Sequence, residues 1–170
     1  KINNIIKSLL ENQFYDYATN LAYIRCDYYK KESFSLLYYK YLVKYINYLE
    51  KYYTSKTEEI YDFINDAELI KGELQINHSK SEEFININLE LALICYRIEK
   101  SKYNYTLCEK YINYILSYED TISQTEPFAL ARIYYALNLK EQGLRNQFII
   151  ELVKALKKYP QNKDVKISYY

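Results

Sequence analysis

Ala129-Leu130-Ala131-Arg132-Ile133-Tyr134-Tyr135-Ala136-Leu137-Asn138-Leu139-Lys140-Glu141-Gln142-Gly143, followed by Arg145 to Asn162, is the stretch whose reading decides the fold. Apolar residues recur at three- and four-residue spacing on both sides of Gly143, the period of one face of an α-helix. Glycine enters the left-handed conformation that ends a helix at no steric cost, and proline cannot continue one. The 34 residues from Ala129 to Asn162 therefore read as two amphipathic helices broken at Gly143 and stopped at Pro160.

The same punctuation recurs through the rest of the chain. Ser123-Gln124-Thr125-Glu126 followed by Pro127 is a helix start, because a hydroxyl can cap the first amides and proline suits the first turn. Ile2, Ile5, Ile6, Leu9 and Leu10 form the stripe of a first helix, which Asn12-Gln13 breaks. Phe14 to Tyr29 reads as a second, with Ala18, Leu21, Ala22 and Arg25 along one side, where small residues let two helix axes approach closely. Ser33 can cap a third helix, whose stripe runs Leu37, Tyr38, Tyr41, Leu42, Tyr45, Leu49 and Tyr52. Ser55 to Glu58 has capping-box spacing ahead of a fourth helix carrying Ile60, Phe63, Ile64, Ala67 and Ile70, with Gly72 as its stop. Glu73 to Lys80 reads as a polar loop, and Ser79 to Glu82 as the next capping box. A fifth helix holds Ile87, Leu91, Ile94, Cys95 and Ile98. Ser101 to Asn104 turns the chain into a sixth with Leu107, Cys108, Tyr111, Ile112, Ile115 and Leu116. Glu119 to Thr125 is a second loop, and Lys163 to Tyr170 could begin a ninth helix.

Composition supports an all-helical chain. Two glycines and two prolines in 170 residues are too few for the turns of a β-sandwich or a Rossmann fold. At 49% apolar and 26% charged the chain can bury the core of one domain. A formal charge of +1, with both signs interspersed, points to neither nucleic acid nor an anionic membrane. The 24 tyrosines, with neither Trp nor Met, fit either A/T-rich codon usage or an aromatic binding surface. In both cases some must be core, since tyrosine buries its ring while keeping its hydroxyl wet. Cys26, Cys95 and Cys108 fit no zinc spacing and lie in helical runs, so they read as buried free thiols of a reducing, intracellular compartment, cytoplasmic or nuclear. Phe34 to Leu49 is the most apolar run, and Lys40 and Lys44 interrupt it. No membrane partner is expected. The chain opens on Lys1 rather than Met, as expected of a fragment of a longer protein.

Chemistry is sparse. His78, in the polar loop, is the only histidine and pairs with no nucleophile. Glu58-Glu59 and Glu82-Glu83 sit at helix starts, where the helix dipole accounts for them. Neither glycine has the companions of a phosphate loop. No catalytic, cofactor-binding or metal-ligating residue is assigned. Lys154, Lys157, Lys158, Lys163 and Lys166 make the one local positive excess. An RNA-binding helical solenoid is thus the alternative function, although interleaved aromatics are missing there.

The Ala129–Asn162 stretch resembles a tetratricopeptide repeat (TPR). Tyr135-Ala136 fill the large–small pair of its first helix, Leu139 the later aromatic position and Gly143 the turn, while Ala155, Pro160 and Asn162 close the unit. Arg132 stands where the family favours Trp, Phe148 where it favours Ala, and Leu152 where it favours Phe. Ile5-Ile6, Leu9, Tyr15, Ala18 and Ala22 repeat the intervals near the N-terminus, with Gln13 replacing the turn glycine. The middle hairpins run nearer 40 residues than 34. Residues Leu10 to Tyr41 also look loosely like the N-terminal repeats of TPR subunits of the anaphase-promoting ubiquitin ligase, through Phe14-Tyr15, Ala18, Leu21-Ala22 and Ser33 to Leu37. That resemblance implies a homodimer.

The resemblance implies one all-α domain over residues 1–170, a right-handed superhelical stack of about four antiparallel hairpins (about 2–30, 33–72, 81–118 and 127–160). It implies a non-enzymatic interaction scaffold within a larger complex, binding a protein or peptide. The inner face of the best-matched repeat carries Leu130, Ile133, Tyr134 and Leu137. It is apolar, which suits a hydrophobic segment rather than a carboxylate.

Overall fold

The computed structural model describes residues 2–33, 35–53, 57–78, 80–100, 105–122 and 126–165. Every regular element among them is an α-helix. The chain divides into two units, residues 1–79 and 80–170. The first holds α1 (Ile2–Glu11), α2 (Tyr15–Lys31), α3 (Ser35–Tyr52) and α4 (Thr57–His78). The second holds α5 (Glu82–Lys100), α6 (Thr106–Leu116), α7 (Glu126–Glu141) and α8 (Arg145–Lys158).

In the first unit α1 packs on α2, α2 on α3 and α3 on α4. The α2–α3 pairing is set by small residues one turn apart: Ala18, Ala22 and Cys26 are all buried. Close helix approach leaves room for rings only on the flanks of the seam. Tyrosines fill those flanks as an antiparallel ladder. Tyr15 stacks on Tyr52 at 4.1 Å, Tyr23 meets Tyr45 at 5.1 Å, and Tyr29 meets Tyr41 at 5.4 Å. Much of the tyrosine surplus is therefore packing material. Helix α3, with neighbours on both sides, buries more of its circumference than its expected stripe: Tyr39, Val43 and Ile46 are core as well.

The turn after α1 is closed by Gln13 at φ 63°, with the amides of Gln13 and Phe14 donating to the carbonyls of Leu10 and Leu9. The turn after α7 has the same design. Gly143 lies at φ 77°, and the amides of Gly143 and Leu144 donate to Lys140 and Leu139. The residue that follows also matches, Phe14 at (−82°, 61°) and Leu144 at (−83°, 58°). Glutamine thus occupies a backbone conformation that glycine fills without a Cβ penalty.

Several helix boundaries differ from the expected ones. Gly72 does not stop α4. The helix runs through it to His78, so residues Glu73 to His78 are helical rather than a loop. Leu74 extends the buried row of Ile60, Ile64, Ala67 and Ile70, and that burial outweighs the modest cost of one interior glycine. Ser33 does not cap α3. It lies at φ 59° in the turn that closes α2. The cap of α5 is Ser81, whose Oγ accepts the Phe84 amide at 3.2 Å. Ser55, Ser79, the 101–104 turn and the 123–125 start signal lie outside the described residues. Residues 163–165 are helical, while 166–170 are not described.

In the second unit α5 packs on α6, α6 on α7 and α7 on α8, and α5 also packs on α7. No side chain of α6 itself caps its N-terminus. Instead the buried Glu99 of α5 accepts the amides of Leu107 and Cys108, both at 2.8 Å, satisfying two of the donors a helix start leaves open. Burial pushes the Glu99 carboxyl above its ordinary range despite these two bonds.

The glycine and glutamine turns predict reciprocal changes in urea unfolding. Gln13→Gly should stabilise by about 0.5–1 kcal/mol, and Gly143→Gln should destabilise by a similar amount. Gly72→Ala, where an added Cβ meets nothing within 4 Å, should stabilise by about 1 kcal/mol.

Candidate functional site

The most extensive exposed apolar surface on one helix lies along α2. Phe14, Tyr17, Leu21, Ile24 and Tyr28 follow one another at spacings of three, four, three and four, the a/d pattern of a coiled-coil seam. Phe14 is 54% exposed, Tyr17 68%, Ile24 60% and Tyr28 46%, and Leu21 at the centre is half-buried. Ala18, Ala22 and Cys26 are buried, and the 100° step of the helix puts Tyr17, Leu21, Ile24 and Tyr28 along a different side of α2, with Phe14 in the turn just before it. The row is partly organised already: Phe14 and Tyr17 meet edge to face at 6.2 Å, and the Arg25 guanidinium lies 5.7 Å from the Tyr28 ring centre. Around it, Asp16 accepts the Tyr53 hydroxyl in the first turn, and Lys31 pairs with Asp27 at 2.6 Å in the last.

The other exposed large apolar residues are Ile5 on α1, Tyr23 on α2, Leu69 and Ile76 two turns apart on α4, Leu144 before α8, and Ile149 and Ile150 on α8, and none of these groups matches the length of the α2 row. The α2 row lay within reach of sequence reading through its spacing.

The residues expected to bind a partner, Leu130, Ile133, Tyr134 and Leu137, share one side of α7. Ile133 is buried, while Leu130, Tyr134 and Leu137 are half-buried. The Tyr134 ring lies 6.1 Å from Tyr96 of α5, so α5 takes up part of this side.

Arg132, at the Trp position of the repeat pattern, is the centre of an ion network. Its Nε and Nη2 donate to the two Glu119 oxygens at 2.7 and 2.5 Å, and its Nη1 donates to Glu151 at 3.2 Å. The Tyr159 hydroxyl donates to Glu119 at 2.6 Å, and Lys158 lies 3.0 Å away. The segment before α7, α7 itself, α8 and the residue after α8 are thus tied at one buried carboxylate. Burial alone would raise the Glu119 carboxyl, but the bonds from Arg132, Tyr159 and Lys158 outweigh it and hold it at about 2. Burial and that same carboxylate push the Tyr159 phenol up. Phe148 does not hold α7 and α8 apart. It is half-buried with the Lys140 ammonium 5.5 Å from its ring, while Ala136 and Ala155 are fully buried.

Two of the lysines of the C-terminal positive excess are engaged: Lys154 pairs with Glu151 at 2.5 Å, and Lys158 with Asp120 at 2.5 Å as well as Glu119. Lys166 lies outside the described residues. His78 ends α4 instead of lying in a loop, beside a surface cleft of about 490 Å³ that Ser33, Leu37 and Glu73 also line. The described residues contain no cluster of three or more His, Cys, Asp or Glu able to hold a metal. No described helix is long and apolar enough to cross a membrane. All three cysteines are buried free thiols. Burial pushes the Cys26 thiol up to about 12 and raises Cys108 further, which suppresses the reactive thiolate.

Comparison with protein-family models, with curated proteins and with solved structures finds no match to this chain.

Glu119→Gln should cost about 3 kcal/mol of stability at pH 7, because Arg132 loses its bidentate carboxylate and keeps only the single bond to Glu151. The folded-state carboxyl titrates at about 2, below its ordinary 4.5, so its contribution is complete above pH 4.5 and lost as pH falls through 2. Thermal unfolding followed from pH 7 to pH 2 should therefore show wild type and variant converging at the acid end.

Proposed function

We propose that this chain is a non-enzymatic protein–protein interaction module, a divergent TPR-like array of helical hairpins acting as a scaffold in an intracellular complex. The observation that carries this reading is the exposed a/d row of α2. Monomeric surfaces scatter their apolar residues singly, and an ordered row of large ones marks a binding face. The matching turns at Gln13 and Gly143 support the repeat character, as does the packing of α5 on both α6 and α7. In such arrays the first helix of one hairpin lies against the first helix of the next. The buried, unreactive thiols suit a reducing compartment. Engagement of Lys154 and Lys158 in ion pairs weighs against the RNA-binding alternative, which needs free cations along a groove.

The half-buried side of α7 around Tyr134 is the second face of this proposal. It would take an apolar segment beside α5.

A photo-reactive phenylalanine analogue placed at Tyr17 or Ile24, in the chain expressed in its native host, should form adducts with protein on irradiation. The same analogue at the polar position Asn20 should give much less. Adducts with RNA at Lys157 and Lys163, with none to protein from α2, would transfer the function to nucleic-acid binding.

A further inference from the structure

Helix α4 carries an exposed face of a different kind. Glu58, Asp62, Asn65, Leu69, Gly72 and Ile76 follow one another at spacings of four, three, four, three and four, so they share one side of the helix. All six are exposed. Leu69 is 71% exposed and Ile76 84%, more than any other large apolar side chain among the described residues. Gly72 stands between them, and an added Cβ there meets nothing within 4 Å. The packing of this chain therefore does not require glycine at that position, and an interior glycine weakens a helix. Bare backbone between two apolar side chains is a notch that a second helix can approach closely. The charge on this side has one sign. Asp66 and Glu73 are exposed beside the row. With Asp62 they lie beyond the first turn, where the helix dipole no longer accounts for carboxylates. Lys71, the one lysine or arginine of α4, is buried and lies 3.1 Å from Glu68. From α2, the charge of Lys30 reaches Asp66.

We propose that this side of α4 docks a basic amphipathic helix of a partner protein. Apolar side chains of that helix lie on Leu69 and Ile76, its backbone comes closest at Gly72, and its lysines or arginines face Asp62, Asp66 and Glu73. The site shares no residue with the α2 row and goes beyond the interaction face read there. Charge complementarity selects the occupant. A second copy of this chain would lay the same carboxylates against one another, and an anionic membrane or a nucleic acid would be repelled. Shape selects a helix: the row runs straight for about 27 Å at 1.5 Å per residue, and its three- and four-residue steps match the anchors of a helix laid alongside.

Fluorescence anisotropy of a labelled synthetic helix, titrated with the whole 170-residue chain, tests this. The probe is an amphipathic peptide of leucine and lysine, about 18 residues long to match the row. Its control carries glutamate in place of every lysine. Wild type should bind the lysine peptide in the micromolar range, more weakly as salt is added, and should not bind the glutamate peptide. Leu69→Ser and Ile76→Ser change exposed positions, so the helical circular-dichroism signal should hold while each lowers the affinity about tenfold. Asp62→Lys combined with Glu73→Lys should reverse the preference to the glutamate peptide. Gly72→Ala should raise the urea midpoint and lower the affinity together, a pairing that a purely structural role would not give. Ile149→Ser, at an exposed apolar position of α8, should change neither. Failure of wild type to bind the lysine peptide overturns the proposal. Equal binding of both peptides also overturns it, since that is apolar adhesion without charge selection. Unchanged affinity in Gly72→Ala overturns the close approach of a helix. Binding lost on Ile24→Ser but kept in the α4 variants belongs to the α2 row, which overturns the α4 site and leaves the scaffold reading in place. The scaffold reading falls separately, when the photo-reactive analogue at Tyr17 or Ile24 yields no protein adduct.

Discussion

Three small side chains on α2 set the terms for the first unit. Ala18, Ala22 and Cys26 lie one turn apart and are buried, so α2 can sit close against α3, and bulky groups are displaced to the sides of the seam. One consequence is the tyrosine ladder that lines those sides. Another concerns the rotation of α2 about its own axis. With the alanine row buried, the 100° step per residue leaves Tyr17, Ile24 and Tyr28 exposed on another side of α2, with Leu21 half-buried between them. A larger residue at Ala22 would disturb both, because a tightly packed seam accepts extra volume only by moving the helix.

The second unit is organised around charge. Glu119 and Glu99 are both buried carboxylates, and their environments separate them. Glu119 gathers a bidentate guanidinium, a phenol and an ammonium, and these overcome the cost of burial. Glu99 accepts two backbone amides and no full positive charge, and burial dominates. One acts as a clamp between α7, α8 and the flanking segments, the other as a helix cap supplied from a neighbouring helix.

Legibility in the sequence followed the range of the interactions involved. The periodic elements were readable, because the period of α1, α2 and α5 to α8 is written locally in apolar spacing. The turns at Gln13 and Gly143 were readable for the same reason, and glutamine in the left-handed region fills its turn as glycine does at Gly143. Boundaries set by burial were not. Gly72 reads as a stop, yet Leu74 buries beyond it and draws α4 on to His78. Ser33 reads as a cap for α3, yet the chain needs it to close α2. Arg132 reads as a departure from the repeat pattern. Its reason is Glu119, thirteen residues away, and Glu151, nineteen away, neither of which a local pattern connects to it.

By itself, then, the sequence determined that this chain is helical and where most of its helices lie. These depend on composition and on contacts within a turn or two. Only the tertiary structure decided which side of each helix is spent on the core. On α7 the row around Tyr134 goes partly to α5. On α2 the alanines go to α3, and the heptad row beside them is left facing outward. The physical reason is that amphipathic spacing records how many apolar faces a helix has, whereas the neighbours available to cover them come from residues tens of positions away.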